Sequence, residues 1–335
     1  MVIHFAIVGC GRIAERHAEQ IALMGKLVAV CDIDFKKAEN IALMYNVHSY
    51  STLEEMLLNE NTIEVVSICT PNYLHAEQTI YALQSGKNVL CEKPMAIYSD
   101  DAKKMIEASL INNKKLFIVK SSRYTPCVEE LKKCILDNKL GKIYSFQMNC
   151  IWNRPESYYL GSWKGTLIKD GGTLYTQFSH YIDVLIWLLG EADIVTGFRS
   201  ISSDKNIEIE DSGAVAIKLL NGVIGTLHYS VNSFNKNQEV SFTIVAEKGT
   251  IKLGGEFMNE IVYQNPAIIN IEGLTNNNPA NDYGTYKGSM SNHDKVYANV
   301  IAALQGGISS FTDGESALSS VAFIENVYQK IALSN

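Results

Sequence analysis

Charged residues are scarce in this 335-residue chain: 19% are Asp, Glu, Lys or Arg, against 47% hydrophobic. A chain this apolar is not disordered, and its length predicts two domains. Positive charge is also short, with 29 Lys and Arg against 36 Asp and Glu and a net charge of −7. Neutralising the phosphates of a duplex requires the opposite sign, so nucleic acid is excluded as a main ligand. Apolar runs such as Val184–Leu189 fall far below the roughly 20 residues that cross a bilayer. No membrane span is predicted. The N-terminus lacks a basic region and a small-residue cleavage site, and Gly9-Cys10-Gly11-Arg12 interrupts it early, which predicts a cytoplasmic location.

Several chemistries lack their signatures. Seven cysteines (Cys10, Cys31, Cys69, Cys91, Cys127, Cys134 and Cys150) form no Cys-x-x-Cys pair, and several sit in apolar runs, so they read as reduced core thiols. The seven histidines show no His-x-x-x-His spacing. A zinc site would have to gather ligands from distant segments, and no metal is predicted. No Gly-x-Ser-x-Gly occurs, which removes the nucleophile elbow of a hydrolase. Internal repeats and low-complexity linkers are absent as well.

What is present is a rhythm. Short apolar runs at Ile3–Val8, Leu27–Cys31, Val65–Cys69, Asn88–Cys91 and Leu116–Val119 alternate with amphipathic stretches at Arg12–Met24, Phe35–Tyr45, Leu53–Leu58, His75–Gln84 and Asp100–Asn112. Strands apolar on both faces, separated by helices, predict an α/β domain over 1–122 with a doubly wound parallel sheet. After Arg123 the pattern changes to a helix at Pro126–Asn138, a strand at Ile143–Ile151 and a long helix from Gly172 to Leu189. Strands at Ile194–Ile201, Ala214–Leu220, Val223–Val231, Val240–Ala246 and Thr250–Leu253 then follow without helices between them. Residues 123–335 are therefore expected to form an α+β domain with a large, mostly antiparallel open sheet, its C-terminal helix free to pack back on the first domain. Asn221-Gly222 reads as a hairpin turn in which both residues take positive φ. The asparagine-rich stretch Asn265–Lys287 reads as a surface loop, and helices at His293–Leu304 and Gly314–Leu333 close the chain.

The first strand runs into Gly9-Cys10-Gly11-Arg12-Ile13-Ala14, a G-x-G-x-x-A pattern that opens a helix. Gly9 permits the tight turn, Gly11 lets a pyrophosphate approach the backbone, and the anion rests on the helix N-terminus. Asp32 ends the next strand, where its carboxylate can accept from a ribose diol and repel a 2′-phosphate, favouring NAD over NADP. Lys36 and Lys37 nearby weaken that preference slightly. Thr70 and Pro71 lie at the carboxyl edge of the Val65–Cys69 strand, where such sheets bind ligands.

The fingerprint, Thr70-Pro71-Asn72 before His75, Glu92-Lys93-Pro94, Arg123-Tyr124, and Gly171-Gly172 upstream of His180 and Asp183 together resemble the glucose-fructose oxidoreductase / inositol dehydrogenase / MocA family over nearly the whole chain. The resemblance implies a Rossmann domain joined to an open-sheet domain whose outer face makes a subunit interface, giving a homo-oligomer, a dimer or tetramer. It also implies that Arg12, Ile13, Asn72, His75, Glu92, Lys93, Arg123 and Trp163 lie at the cofactor. Lys93 is carried over as a catalytic residue beside the nicotinamide and the sugar hydroxyl, where a desolvated lysine releases its proton more readily. His180 is the second catalytic candidate, because an imidazole titrates near neutrality. Either Lys93 or His180 is placed by the resemblance to take the hydroxyl proton. Many polyol and sugar members carry an aspartate four residues before this histidine, but this chain has Thr176.

A narrower resemblance lies in Trp152-Asn153-Arg154-Pro155, Tyr158-Tyr159, Trp163-Lys164-Gly165-Thr166, Asp170-Gly171-Gly172 and Gln177 before Ser179-His180. It is similar to the subgroup that oxidises the 3-hydroxyl of UDP-N-acetylglucosaminuronic acid for surface polysaccharides. That subgroup usually has arginine at the Lys164 position, asparagine at Thr176 and glycine at Phe178. Substrate contacts are then expected from Lys93, Arg154, Tyr158, Tyr159, Lys164, Thr166, Thr176, Gln177 and His180, with Arg154 and Lys164 holding anionic groups and the aromatic rings facing the sugar or its base. Some relatives regenerate the cofactor with a second substrate such as 2-oxoglutarate. Two other readings stand beside this one: a dehydrogenase of a free polyol or hexose, and a non-catalytic NAD(P)-sensing regulatory protein.

Overall fold

The computed structural model describes residues 2–202, 205–270, 274, 278–307 and 313–334. The chain forms two compact units, Met1–Lys120 with His293–Val321, and Ser121–Asn292 with Ala322–Asn335. The segment from His293 to Val321 thus belongs with the first unit rather than with the residues that precede it.

In the first unit, β-branched and aliphatic runs form β1 (His4–Val8), β2 (Lys26–Cys31), β3 (His48–Tyr50), β4 (Val65–Ile68), β5 (Asn88–Cys91) and β6 (Leu116–Ile118). All pair in parallel in the order β3-β2-β1-β4-β5-β6. This is the doubly wound dinucleotide-binding order, with its switch point between β1 and β4. The helices are α1 (Arg12–Met24), α2 (Phe35–Tyr45), α3 (Leu53–Asn59), α4 (His75–Gln84) and α5 (Ser99–Ile111). In α1, Ala14, His17, Ala18 and Ile21 form the buried stripe, the 3–4 spacing of a helix packed on a sheet. The short β3 is a strand that the sequence pattern misses. It has too few residues to show an alternation.

The second unit holds α6 (Pro126–Leu136), β7 (Ile143–Ile151), the short α7 (Leu167–Asp170) and α8 (Ser179–Leu189). The strands β8 (Ala192–Ser200), β9 (Ser212–Leu219), β10 (Ile224–Ser230), β11 (Glu239–Ala246), β12 (Gly249–Gly254) and β13 (Glu260–Asn265) follow. With β16 (Leu333–Ser334) they build an eight-stranded sheet, β13-β12-β11-β7-β10-β9-β8-β16, in which, among the described residues, only β10 with β7 and β16 with β8 run parallel. The expected helix from Gly172 to Leu189 starts instead with a π-helical turn over Leu174–Phe178 before α8. The loop expected over 265–287 contains most of a small hairpin, β14 (Ala280–Asp282) with β15 (Lys287–Met290). Residues 271–273 and 275–277 of that stretch lie outside the described residues.

The closing helices are α9 (His293–Leu304) and α10 (Gly314–Lys330). The second stops short of Leu333 because Ile331 gives its carbonyl to Arg199 Nε at 2.8 Å, and β16 (Leu333–Ser334) then joins β8. No helix among the described residues is long and apolar enough to cross a membrane.

The hairpin at Asn221-Gly222 needs one correction. Only Gly222 takes positive φ, at 87°, while Asn221 uses its side chain, accepting from Val223 N at 3.1 Å and donating to Leu189 O at 2.7 Å. Leu219 N donates to Val223 O at 2.8 Å, and the three residues between them, with one left-handed glycine, replace the two-residue turn. Open space surrounds Gly222, so Gly222→Ala should cost only the left-handed backbone penalty, about 1 kcal/mol, read as a shift of the urea midpoint at unchanged slope.

Candidate active site

The fingerprint turn is built as its glycines require. Gly9 has φ of 90°, and a Cβ there would lie 2.8 Å from Cys69 and Thr70 backbone atoms, so β1 can meet the end of β4 only through glycine. A Cβ on Gly11 would meet nothing within 4 Å. Gly11 and Arg12 are exposed where α1 begins, leaving the helix N-terminus open to an anion. Asp32 accepts from Cys10 N at 2.7 Å and Asp34 N at 2.8 Å, which fixes its carboxylate beside the turn. Lys37 pairs with Asp34 at 3.2 Å, so one of the two lysines that weakened the NAD preference already has an anionic partner. Burial, with Asp32 adjacent, pushes the Cys10 thiol up to about 12, and all seven cysteines are buried and unbridged. These residues fit a dinucleotide.

The Glu92-Lys93-Pro94 turn is held from beneath. Between Val89 and Ile97 only Lys93 is not buried, and its peptide with Pro94 is cis. Glu92 faces inward: Oε1 lies 2.9 Å from His17 Nε2 and 3.3 Å from His293 Nε2, and Oε2 accepts from Lys93 N at 3.0 Å. His17 Nδ1 lies 2.7 Å from Tyr297 Oη, which meets Ser67 Oγ at 3.0 Å. Burial alone would raise the Glu92 carboxyl, but its bonds with the two histidines outweigh this and hold it well below the usual carboxylate range. Burial lowers His17.

The fold therefore gathers a His-Glu-His cluster that sequence spacing could not show, its ligand-type atoms within 4.8 Å of one another. Its two closest separations are hydrogen-bond distances. Glu92 was expected at the cofactor, but the observed contacts of its carboxylate tie α1, α9 and the Lys93 backbone together. His75, also expected there, is buried with its ring nitrogens 2.6 Å from Pro94 O and 2.8 Å from Thr70 O, linking the two turns. Thr70 donates to Gln78 at 2.6 Å, and Thr70 and Pro71 are half-buried at the sheet edge, whereas Asn72 is buried.

In the second unit, His180 is the second residue of α8 and is buried. Arg123 and Asp183 form a bidentate pair at 2.7 and 2.8 Å, so the guanidinium fork expected near the cofactor is turned to α8. The π turn ahead of His180 is tethered from outside the helix. Leu174 N donates to Tyr328 Oη at 2.9 Å, Tyr328 donates to Glu210 Oε1 at 2.6 Å, and the Thr173 hydroxyl donates to Glu210 O. A Cβ on Gly172 would lie 2.3 Å from Tyr328 Oη, which explains that glycine. Burial pushes Glu210 up to about 7 despite Tyr328 and Arg199, which lower it.

The aromatic loop divides into an inner and an outer part. Arg154 is 1% exposed. Its Nε donates to Gln177 Oε1 at 2.6 Å, Nη1 to Asn153 O and Asn237 Oδ1 at 2.6 and 3.2 Å, and Nη2 to Lys287 O at 3.2 Å. The rings of Trp152, Tyr158 and Tyr286 lie 4.7, 5.4 and 4.9 Å from its guanidinium carbon. Arg154 was expected to hold a substrate anion, yet protein acceptors take most of its donors. Gln177 is equally committed, donating to Tyr158 Oη at 2.8 Å, and Tyr159 is buried. Tyr158, Trp163, Lys164, Thr166 and Thr176 are half-buried and form the outer part. Lys164 Nζ lies 4.2 Å from the centre of the Tyr158 ring, and Thr166 donates to Trp163 O at 2.7 Å.

Residues 3–120 match the family model described as an oxidoreductase family with an NAD-binding Rossmann fold, and residues 132–334 match that family's C-terminal alpha/beta domain. The chain belongs to this oxidoreductase family. One crystal-structure neighbour, the WlbA dehydrogenase of Chromobacterium violaceum in complex with NADH and UDP-GlcNAcA, is 32% identical over 98% of this chain and 93% of that one and superposes with a TM-score of 0.89. Glucose-6-phosphate 3-dehydrogenase of Bacillus subtilis is 28% identical over 92% of this chain and 91% of that protein. Levoglucosan dehydrogenase of Pseudarthrobacter phenanthrenivorans is 28% identical over 61% of this chain, a match spanning 59% of that enzyme's length.

As a family member, the chain is an oxidoreductase whose first domain uses NAD. Within its own units the fold brings together groups that residue spacing did not reveal: His17 and His293 on Glu92, Tyr328 and Glu210 on the π turn, and Tyr286 on Arg154. Asp170 belonged to a quoted motif, but nothing in the spacing showed what its carboxylate meets. For Glu210, a folded pKa above the ordinary 4.5 means that its stabilising contribution is complete at low pH and is lost as pH rises through about 7. Glu210→Gln should thus melt at a higher temperature relative to the parent at about pH 8 than at about pH 5, as scanning calorimetry would record. An equal difference at both pH values would contradict the raised pKa.

Proposed function

We propose that the protein oxidises the 3-hydroxyl of UDP-N-acetylglucosaminuronate, a nucleotide-linked sugar acid, in the assembly of surface polysaccharide sugars. The observation that carries this reading is the 32% identity over 98% of the chain to a dehydrogenase crystallised with NADH and UDP-GlcNAcA. The outer loop supports it, because Lys164 beside the Tyr158 ring is a half-buried cation suited to an anionic sugar. Gly9, Gly11, the start of α1 and Asp32 would hold the dinucleotide. NAD held there would supply the hydride acceptor for the carbon that bears the reacting hydroxyl. Lys93 or His180 takes the hydroxyl proton, leaving a ketone. Arg154 and Gln177 act by holding Tyr158 in place.

A second reading, oxidation of a free or phosphorylated hexose, is favoured by the match to the glucose-6-phosphate enzyme. Mixing the protein with NAD and each sugar in turn decides between them by NADH absorbance. The uronate should react, and reaction with glucose 6-phosphate or inositol alone would reject the assignment. Lys93→Ala and His180→Ala should each lower kcat about 10²- to 10⁴-fold while NAD still binds. A non-catalytic sensor would show no such loss. Isolating the protein and testing for bound NAD or NADH would tell whether a second substrate such as 2-oxoglutarate is needed for recycling.

We also propose a homo-oligomer formed through the outer face of the eight-stranded sheet. Ile194, Phe198 and Ile224 on that face are 49, 77 and 57% exposed, an apolar surface that water solvates poorly. Phe198→Asp should shift the mass in light scattering toward the monomer.

A further inference from the structure

Every residue from Asp170 to Leu185 is buried except Thr176. This half-buried threonine stands four residues before His180, about one turn of helix. Its hydroxyl donates to Asp170 Oδ1. Asp170 reaches it because α7 ends at Gly171, whose left-handed φ of 86° turns the chain back. The second oxygen, Oδ2, accepts from Gly165 N at 2.7 Å, so one carboxylate joins the loop carrying Lys164 and Thr166 to the segment carrying Thr176 and His180. Asp170 is 1% exposed and is itself shielded from ligand.

A hydroxyl has one proton to donate and two lone pairs that accept. A charged acceptor takes that proton more strongly than a neutral one. We propose that Asp170 is a specificity-determining positioning residue: by taking the Thr176 proton it turns Thr176 Oγ1 into an acceptor, so this position selects a sugar group that donates, a hydroxyl or an amide N–H. A ligand that presents an ether or carbonyl oxygen there would face lone pairs and lose a bond. This rests on the reading that the His180 segment receives the sugar.

Protonation of Asp170 would weaken the choice. Burial pushes its carboxyl up to about 6, opposed by Thr176, by the Gly165 and Gly172 amides and by the Lys164 charge. Tyr158, Tyr159 and Glu210 are further titratable groups that face it. Below that pH the carboxyl becomes a donor itself and no longer fixes the direction of the Thr176 bond.

The test uses the full-length protein with NAD and UDP-N-acetylglucosaminuronate. Thr176→Val, which keeps the shape and loses the hydroxyl, should raise the sugar KM roughly tenfold, with kcat and NAD affinity within about twofold. Asp170→Asn should do the same if it folds, and Thr176→Ser should restore the parent KM. In the parent the sugar KM should climb as pH falls through about 6, whereas in Thr176→Val it should stay high and flat. An unchanged KM in Thr176→Val, or the same acid limb in that variant and the parent, would overturn the role of Asp170 alone. If the parent oxidises none of the sugars, the functional reading fails and this inference falls with it.

Discussion

A carboxylate taken out of water is costly unless donors surround it, and the burden is several kcal/mol for an unpaired charge. This chain buries Glu92, Asp170, Asp183 and Glu210, and each lies on, or bonds directly or through one partner to, a segment that carries a candidate site residue. The requirement to satisfy them fixes the geometry. Glu92 can stay ionised only with His17, His293 and the Lys93 amide around it, so meeting its needs also orients the Lys93 turn. Asp183 binds Arg123 through both oxygens and locks one turn of α8 beyond His180. Glu210 receives Tyr328, which in turn receives Leu174 N at the start of the π turn.

The same constraint explains the contrast between the two units as read from sequence. The first unit is legible because its signals are local. A strand, two glycines, a helix and an acidic residue fall within the Phe5–Asp32 stretch, and the parallel order follows from strands apolar on both faces. The second unit was legible in its strands, whose alternation is plain in β9, but not in its π turn. That turn owes its form to Tyr328, which lies 154 residues from Leu174 in sequence. The histidine cluster was hidden for the same reason, since His293 meets Glu92 across 201 residues. Sequence spacing reports neighbours on one element. It is silent on partners brought in by the fold.

Arg154, set beside Lys164, shows what this silence leaves out. Both were read as anion-holding cations, because charge is visible in a sequence while the groups that satisfy it are not. The fold sends Arg154 inward, where Gln177, Asn237 and two carbonyls accept from it and three aromatic rings enclose it. Lys164 remains half-buried over the other user of that cage, Tyr158. A guanidinium with most of its five N–H donors engaged cannot form a bidentate pair with a substrate carboxylate or phosphate without breaking bonds that hold the loop. A lysine needs only to swing on a flexible stem.

The net charge of −7 is compatible with a small anionic sugar for this reason. Total charge governs the long-range field, which disfavours polyanions spread over a large surface. A single ligand senses the few charges within a Debye length of about 8 Å, and there a half-buried cation is worth more than an exposed one because less water screens it. Asp170 works against Lys164 at close range, as each stabilises the charge of the other. An anion approaching Lys164 must compete with a carboxylate already tied to Gly165 and Thr176. Under the role proposed for Asp170, that competition sets a limit on affinity and gives selectivity for a ligand that also donates to Thr176, so the acid that weakens the charge attraction is the one that gives the contact its direction.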